Sequence, residues 1–481
     1  MTRKLSLLNF YKKHKHFREL KELLPHVFEG DLLDIQKLKE FVGDSNFIDQ
    51  LNYELSWFDK KQALEASQKD CEAELKFVED KSILPNQSDN LFIEGDNLDA
   101  LKLLRKNYQE KIKFIYVDPP YNTGKNFAYS DNFHLASDDY LEYLNYSSIG
   151  RVNQFKQHRI KSGEIHTQWL NMIFPRLILC KDLLTADGVV LISINELEKA
   201  NLQLICNEVY GEENFVGCFV WENRSITNDS LHLFSSVHEY ILIYARNKSK
   251  VVCKGEEKDF SNYSNPDDDA NGNWIPDNPT AASGNKKSRF PIINPFTNEK
   301  YLPPNGRYWA FSESRVEEWT KSGKLVFPKE KGKRFILKKY KSELKSERKP
   351  ISSIISDIPG MKGTKELKVL YPEGIPFKHP KPTDLLIKLF DQFTGNEDIV
   401  LDIFAGSAST AHAIFKMNKA SSSNRSFICV QNNEELSVKS TAYQLGYSSI
   451  SDIAIDRIKR AGKQKSGNNC GVNYFKIESL K

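Results

Sequence analysis

The chain has 481 residues, with 68 Lys and Arg against 64 Asp and Glu, for a formal net charge of +4. Hydrophobic residues at 40% and charged residues at 27% fit a globular chain of about three domains and exclude a disordered one. The longest apolar stretches, such as Val189-Val190-Leu191-Ile192, are strand-sized and far short of the ~20 residues that span a bilayer, and the start lacks the unbroken apolar core of a secretory signal. Seven scattered cysteines with no C-x-x-C pair argue against a disulfide framework or a zinc site, so free thiols in a reducing cytoplasm are expected, with no membrane partner.

Residues 1–88 read as a helical N-terminal region, because FRELKELLPHVF and DIQKLKEFV place apolar residues at helical spacing. From Asn90 short β-rich runs alternate with amphipathic helices. LFIE is a strand stopped by Gly95-Asp96, then a helix runs through LDALKLLRKNYQ. FIYV is a second strand, halted at Asp118 by Pro119-Pro120. A helix near HTQWLNMIFPRLILCKDLL leads into strand GVVLISI. A further helix, KANLQLICNEVYG, precedes strands around NFVGCFVW and EYILIYA. Residues 247–365 break the rhythm: 265–304 is rich in Pro, Asn, Asp and Gly, and Lys321 to Lys349 carries twelve Lys or Arg against three acids. Sheet texture resumes at 398 with IVLDIF, a Gly/Ser turn, the helix TAHAIFKMN and the strand SFICV. Strands separated by helices predict an α/β fold with a doubly wound, mostly parallel sheet, interrupted by an insert. The expected division is 1–88, core 89–246, insert 247–365, core 366–440 and a terminal segment 441–481.

Asp118-Pro119-Pro120-Tyr121 stands at the carboxyl end of a buried strand, where ligands gather in a parallel sheet. The two prolines have no N–H, which leaves a carboxylate, a row of carbonyl acceptors and an aromatic ring. That set suits an exocyclic amine, whose two hydrogens need two acceptors while its heterocycle stacks on Tyr121. Taken alone the basic stripe reads as a solvated face; were the chain to bind DNA, it would supply phosphate contacts, with Lys331, Lys333, Arg334, Lys338 and Lys339 as candidates. Tyr308, Trp309 and Arg315 are candidates for reading or wedging bases.

With Asn122-Thr123-Gly124 following it, this segment resembles the catalytic motif of the amino-methyltransferases that use S-adenosylmethionine and modify DNA adenine at N6. Phe404-Ala405-Gly406-Ser407-Ala408, after Ile399–Ile403, resembles that family's glycine loop, with Ala408 where a second glycine usually stands. Gly95-Asp96-Asn97 resembles its adenine-binding acid position, and Lys378-His379-Pro380-Lys381-Pro382 its "HPxKP" segment. The order of the motifs matches the permuted β group. NPDDDANGNW, GRYWAFS, SDIAIDRIKRAGK and VNYFKIES are similar to segments of the modification (Mod) subunits of type III restriction–modification systems, a branch that carries a longer carboxyl-terminal region.

The resemblance implies a Rossmann-like, circularly permuted methyltransferase whose insert recognises DNA. It implies S-adenosyl-L-methionine as cofactor and no metal. Asp118, Pro119, Pro120 and Tyr121 would be catalytic; Asp96, Lys381, His379, Asp402, Phe404, Ala405, Gly406 and Ser407 would bind the cofactor. Gln431, with Asn432 or Glu434, would face the ribose, and Phe127 or Tyr129 would wall the base pocket. Duplex DNA, a second copy of the chain and a restriction (Res) subunit are the implied partners, in the cytoplasm at the nucleoid. Cytosine-N4 methylation and a catalytically silent DNA-binding subunit stay open beside adenine-N6 methylation.

Overall fold

Apolar runs bounded by acids, Gly or Pro become the strands of one ten-stranded sheet in the computed structural model. The structure describes residues 20–29, 32–34, 37–38, 41, 55–123, 154–224, 235–463 and 470–480. The chain divides into two units, Met1–Ser56 and Trp57–Lys481. In the first, a 3₁₀ turn at Pro25–Val27 leads into a pair of two-residue antiparallel strands, Phe28–Glu29 with Leu32–Leu33.

The second unit opens with α1 (Lys60–Gln68), β1 (Ala73–Phe77), β2 (Leu91–Glu94), α2 (Asn97–Tyr108) and β3 (Ile112–Val117). There follow α3 (Gln154–Leu183), β4 (Leu184–Ile194), α4 (Lys199–Tyr210), β5 (Phe215–Glu222) and β6 (His238–Ala245). The insert contributes β7 (Trp274–Asp277), α5 (Ser314–Lys321), β8 (Leu325–Val326) and β9 (Ile336–Tyr340). Its Phe290, Ile292, Trp309, Phe311, Leu325, Phe327 and Leu337 bury one another in a small core of their own. The chain then returns through β10 (Ile354–Ile355), α6 (Met361–Leu370), α7 (Thr383–Phe393), β11 (Ile399–Asp402), α8 (Ser409–Ser421), β12 (Ser426–Gln431), α9 (Ile450–Lys463) and β13 (Asn473–Ser479).

Strand order across the sheet is β10-β5-β6-β4-β3-β11-β12-β2-β13-β1. From β4 to β13 every neighbouring pair is parallel; β6 and β1 run antiparallel to their neighbours. Two expected boundaries move. β1 lies inside the stretch read as helical, and β10 already belongs to the main sheet although it falls inside 247–365. Periodicity over a few residues cannot show either, because both strands are short and are stabilised by distant partners.

Alternating residues of β3 face opposite sides. Phe114 and Tyr116 join the core made with α7, α8 and α9, where Phe114 meets Phe390 edge-on at 4.9 Å. Ile115 and Val117 are equally buried on the other face. Cys180, Cys206 and Cys429 are buried as thiols in the core. Among the described residues no helix is long and apolar enough to cross a membrane.

Candidate active site

Phe114 lies opposite Val400, so β3 and β11 are neighbours. After β3 the chain moves outward to β4, and after β11 it moves the other way to β12. Such a reversal opens a crevice at the carboxyl ends of the strands. Both motifs read from the sequence stand there.

Asp118 is the first residue past β3. Its Oδ1 accepts from the Tyr121 hydroxyl at 3.0 Å and lies 3.3 Å from Lys381 Nζ. The same hydroxyl lies 3.0 Å from Glu239 Oε2, so its single proton has two carboxylates to choose from. Lys381 donates to Tyr121 Oη at 2.6 Å and to Glu239 Oε2 at 2.8 Å. Its ammonium also stands over the rings of Tyr121 (4.9 Å) and Trp221 (5.3 Å). Glu239 Oε1 accepts from Asn223 Nδ2 at 2.7 Å. One cation thus serves two carboxylates, and the two are unequal. Burial raises the Asp118 pKa; Lys381 lowers it and Glu239 raises it, and the net direction is up. For Glu239 burial also pushes up, but the Lys381 charge and the hydrogen bonds from Lys381, Tyr121 and Asn223 outweigh it and hold the group below its usual range. Burial pulls Lys381 down, and the two carboxylates more than compensate, so it stays charged. Asp118 is therefore the carboxylate readier to take a proton.

The turn after Asp118 is clamped from behind. Trp169 Nε1 donates to Pro120 O at 2.7 Å. Asn122 sits at φ 57°, and its Nδ2 donates to Glu198 Oε1 and to Ile165 O. Glu198 is fully buried, with His166 Nδ1 2.5 Å from Oε1 and Asn201 Nδ2 donating to Oε2 at 2.7 Å. Phe127 and Tyr129 lie outside the described residues.

Across the crevice, Asp402 Oδ1 accepts from Phe404 N at 3.1 Å and Oδ2 from Thr410 Oγ1 at 2.6 Å, closing the loop between β11 and α8. Gly406 has φ +52°, and a Cβ there would stand 3.3 Å from Phe377 Cζ. Ala408 takes the same left-handed conformation at φ 59°, which costs a non-glycine residue roughly 1–2 kcal/mol. This explains why a second glycine is usual at that position. The cleft between the two motifs measures about 230 Å³, and its lining includes Asp118, His379, Lys381, Asp402, Phe404, Ala405, Gly406 and Ser407. Two expected cofactor residues also have partners within the protein. Asp96 caps α2, accepting from Leu98 N (2.8 Å) and Asp99 N (3.3 Å), and pairs with Arg176 at 3.2 Å. Gln431 Oε1 accepts from Gly406 N at 2.8 Å, bracing the loop.

The cleft suits the S-adenosylmethionine implied by the motifs. A glycine leaves room against Phe377, and the hydroxyls of Ser407 and Ser409, held by the buried Arg457, line the cleft, which matches a ligand carrying a carboxylate.

In the insert, Lys331, Lys333 and Arg334 are exposed and Lys339 is half-buried. Lys338 is corrected as a DNA contact. It is 3% exposed, and its ammonium is clasped by Asp267 (2.6 Å) and Asp269, with Tyr340 Oη donating to Asp269 at 2.7 Å. A charge already neutralised inside a domain offers little to a phosphate. Trp309 is likewise core, donating to Phe290 O at 2.8 Å. Glu239, Asn223, Trp221 and Glu198 are site residues that the motifs did not reveal. The one available signal was Glu239, a lone charge near the start of the otherwise apolar EYILIYA.

Residues 112–439 match the DNA methylase family N6_N4_Mtase. The chain is 31% identical over 500 residues to the EcoP15I Mod subunit of a type III restriction–modification enzyme from Escherichia coli, covering 94% of this chain and 76% of that one. It is 31% identical over 484 residues to the StyLTI Mod subunit from Salmonella typhimurium (95% and 72%). Against the EcoPI Mod subunit of Escherichia phage P1 it is 30% identical over 516 residues (96% and 77%). The matched region runs from β3 past the glycine loop and takes in more than half of the sequence, so the chain belongs to the DNA methylase family, alongside the type III Mod subunits it resembles.

Proposed function

We propose that this DNA methyltransferase modifies N6 of an adenine flipped out of duplex DNA, as the modification subunit of a restriction–modification system. The observation that supports this best is a partly desolvated carboxylate, Asp118, raised in pKa, beside an aromatic ring and the glycine-loop cleft. Bound S-adenosylmethionine supplies an electrophilic methyl group, and the protein's own residues do the rest. Asp118 and the Pro119 carbonyl accept the two amine hydrogens, which draws the nitrogen lone pair out of the ring and aims it; orientation of this kind supplies much of an enzyme's acceleration. Tyr121 stacks on the base and offsets part of the cost of unstacking it. Lys381 moves off Asp118 and remains on Glu239, which frees Oδ1 for the amine. Asp118 then takes the proton that the amine loses. Lys331, Lys333 and Arg334 hold phosphates. The names of the relatives support assembly with a restriction subunit, and a second copy of the chain completes the proposed assembly, working at the nucleoid.

Asp118→Ala is expected to abolish methyl transfer into duplex DNA while DNA binding persists. Nucleosides released from DNA methylated by the wild-type protein should contain N6-methyladenine. Undiminished transfer by the variant would sink the catalytic assignment, and N4-methylcytosine would replace the target.

A further inference from the structure

Arg457, on α9, is fully buried, and only one arm of its guanidinium is engaged. Nη1 donates to Ser407 Oγ at 2.8 Å, to Ser409 Oγ at 2.7 Å and to the Ser407 carbonyl at 3.4 Å. Nε and Nη2 have no hydrogen-bond partner among the described residues. The acid that most influences it, Glu366, is itself taken up by the Thr383 backbone N–H and hydroxyl and by Lys416. Burial lowers the Arg457 pKa only to about 10, so the group is a cation at neutral pH. An interior charge without a counter-ion is costly, and proteins keep one where it is paired or where a ligand completes it.

The two serines show where such an anion would stand. Both line the cleft, whereas Arg457 does not. A hydroxyl that accepts from a guanidinium keeps its own O–H to donate, and here two of them are held in place at the start of the thirteen-residue helix α8. The helix's free N–H groups and dipole add to the same positive potential. Lys381, the half-buried cation that does line the cleft, is already committed to Asp118 and Glu239.

We propose that Arg457 is a positioning residue for the cofactor's carboxylate, acting through Ser407 and Ser409 rather than by contact. This rests on the S-adenosylmethionine reading, and the test separates the two. Calorimetry on the full chain would compare S-adenosylhomocysteine with its decarboxylated form, which shares everything but the anion. Arg457→Met should weaken S-adenosylhomocysteine by about tenfold or more, the scale of a lost charge contribution, and leave the decarboxylated ligand unchanged. Arg457→Lys, which keeps the charge, should retain most of the affinity. Equal losses for both ligands, or none, would overturn the proposal. A wild-type protein that binds neither ligand would overturn the cofactor reading and this inference with it. If Arg457→Met does not fold, Ser409→Ala decides by the same comparison, with a loss confined to the carboxylate-bearing ligand expected and equal losses counting against it.

Discussion

Asp402 ends β11 with 3% of its surface exposed, and burial pushes its pKa up to about 7 against the opposing hydrogen bonds from Thr410 and Phe404. In the unfolded chain an aspartate titrates near 3.9. Between roughly pH 4 and 7 the folded protein therefore binds a proton that the unfolded one has released, and stability falls as pH rises through that window, by an amount on the order of 2–4 kcal/mol. Asp402→Asn removes the titration. Relative to wild type, the variant should gain in melting temperature from pH 4.5 to pH 8, and parallel curves would show that Asp402 is not the group responsible. At this scale the sequence was informative where function is contiguous: Asp118-Pro119-Pro120-Tyr121 declares its acceptors in four consecutive residues. It was silent where partners are remote. Glu239 reaches Tyr121 across 118 positions and Arg457 reaches Ser407 across 50. Asp96 shows that a carboxylate after a strand can also cap the next helix, a second role that the sequence did not show.

The elements of the insert show how pairing redistributes charge. β9 lies antiparallel between β7 and β8, with Trp274 opposite Tyr340 and Leu325 opposite Leu337. Lys338 points from β9 into the acid clasp of the 265–274 loop, whereas Lys331 and Arg334 precede the strand and remain exposed. The double variant Lys331→Ala/Arg334→Ala should weaken DNA binding and reduce the slope of log affinity against log salt by about 2, since each phosphate contact contributes nearly one. Lys338→Met should instead lower stability and leave the salt slope unchanged, because it strands two acids that the ammonium had joined. Fluorescence titrations at several salt concentrations, with denaturant unfolding of both proteins, would check the contrast; a shallower salt slope from Lys338→Met would reverse the assignment. A count of basic residues over 321–349 gave the sign of the region correctly but not which charges are free. The stretch 265–304 read as loop because its strands are two to four residues long, Thr280–Ala281 and Ile292–Ile293 among them, too short for alternation to register.

Across the whole molecule, the permuted parallel sheet was legible from the spacing of strand and helix patterns and from the order of the two motifs. Less legible was the fate of the carboxyl-terminal segment. β13 does not close an edge; it lies between β2 and β1, pairing parallel with one and antiparallel with the other. Truncation after residue 470 should therefore open the sheet on both sides of the gap, with loss of soluble protein or a melting temperature lowered by tens of degrees, measurable by expression yield and thermal melts; a near-normal melt would show that β13 is dispensable. The pairing of β3 with β11 has a consequence in time. Phe114 and Val400 touch in register although roughly 290 positions separate them. At about 5–20 residues per second, synthesis leaves β3 waiting on the order of tens of seconds for that neighbour. Throughout that interval a strand destined for the centre of the sheet has an unpaired edge, the kind of surface that recruits other chains. The crevice itself does not exist until β11 and the glycine loop after it have been made, so the nascent chain cannot begin methylating DNA before then.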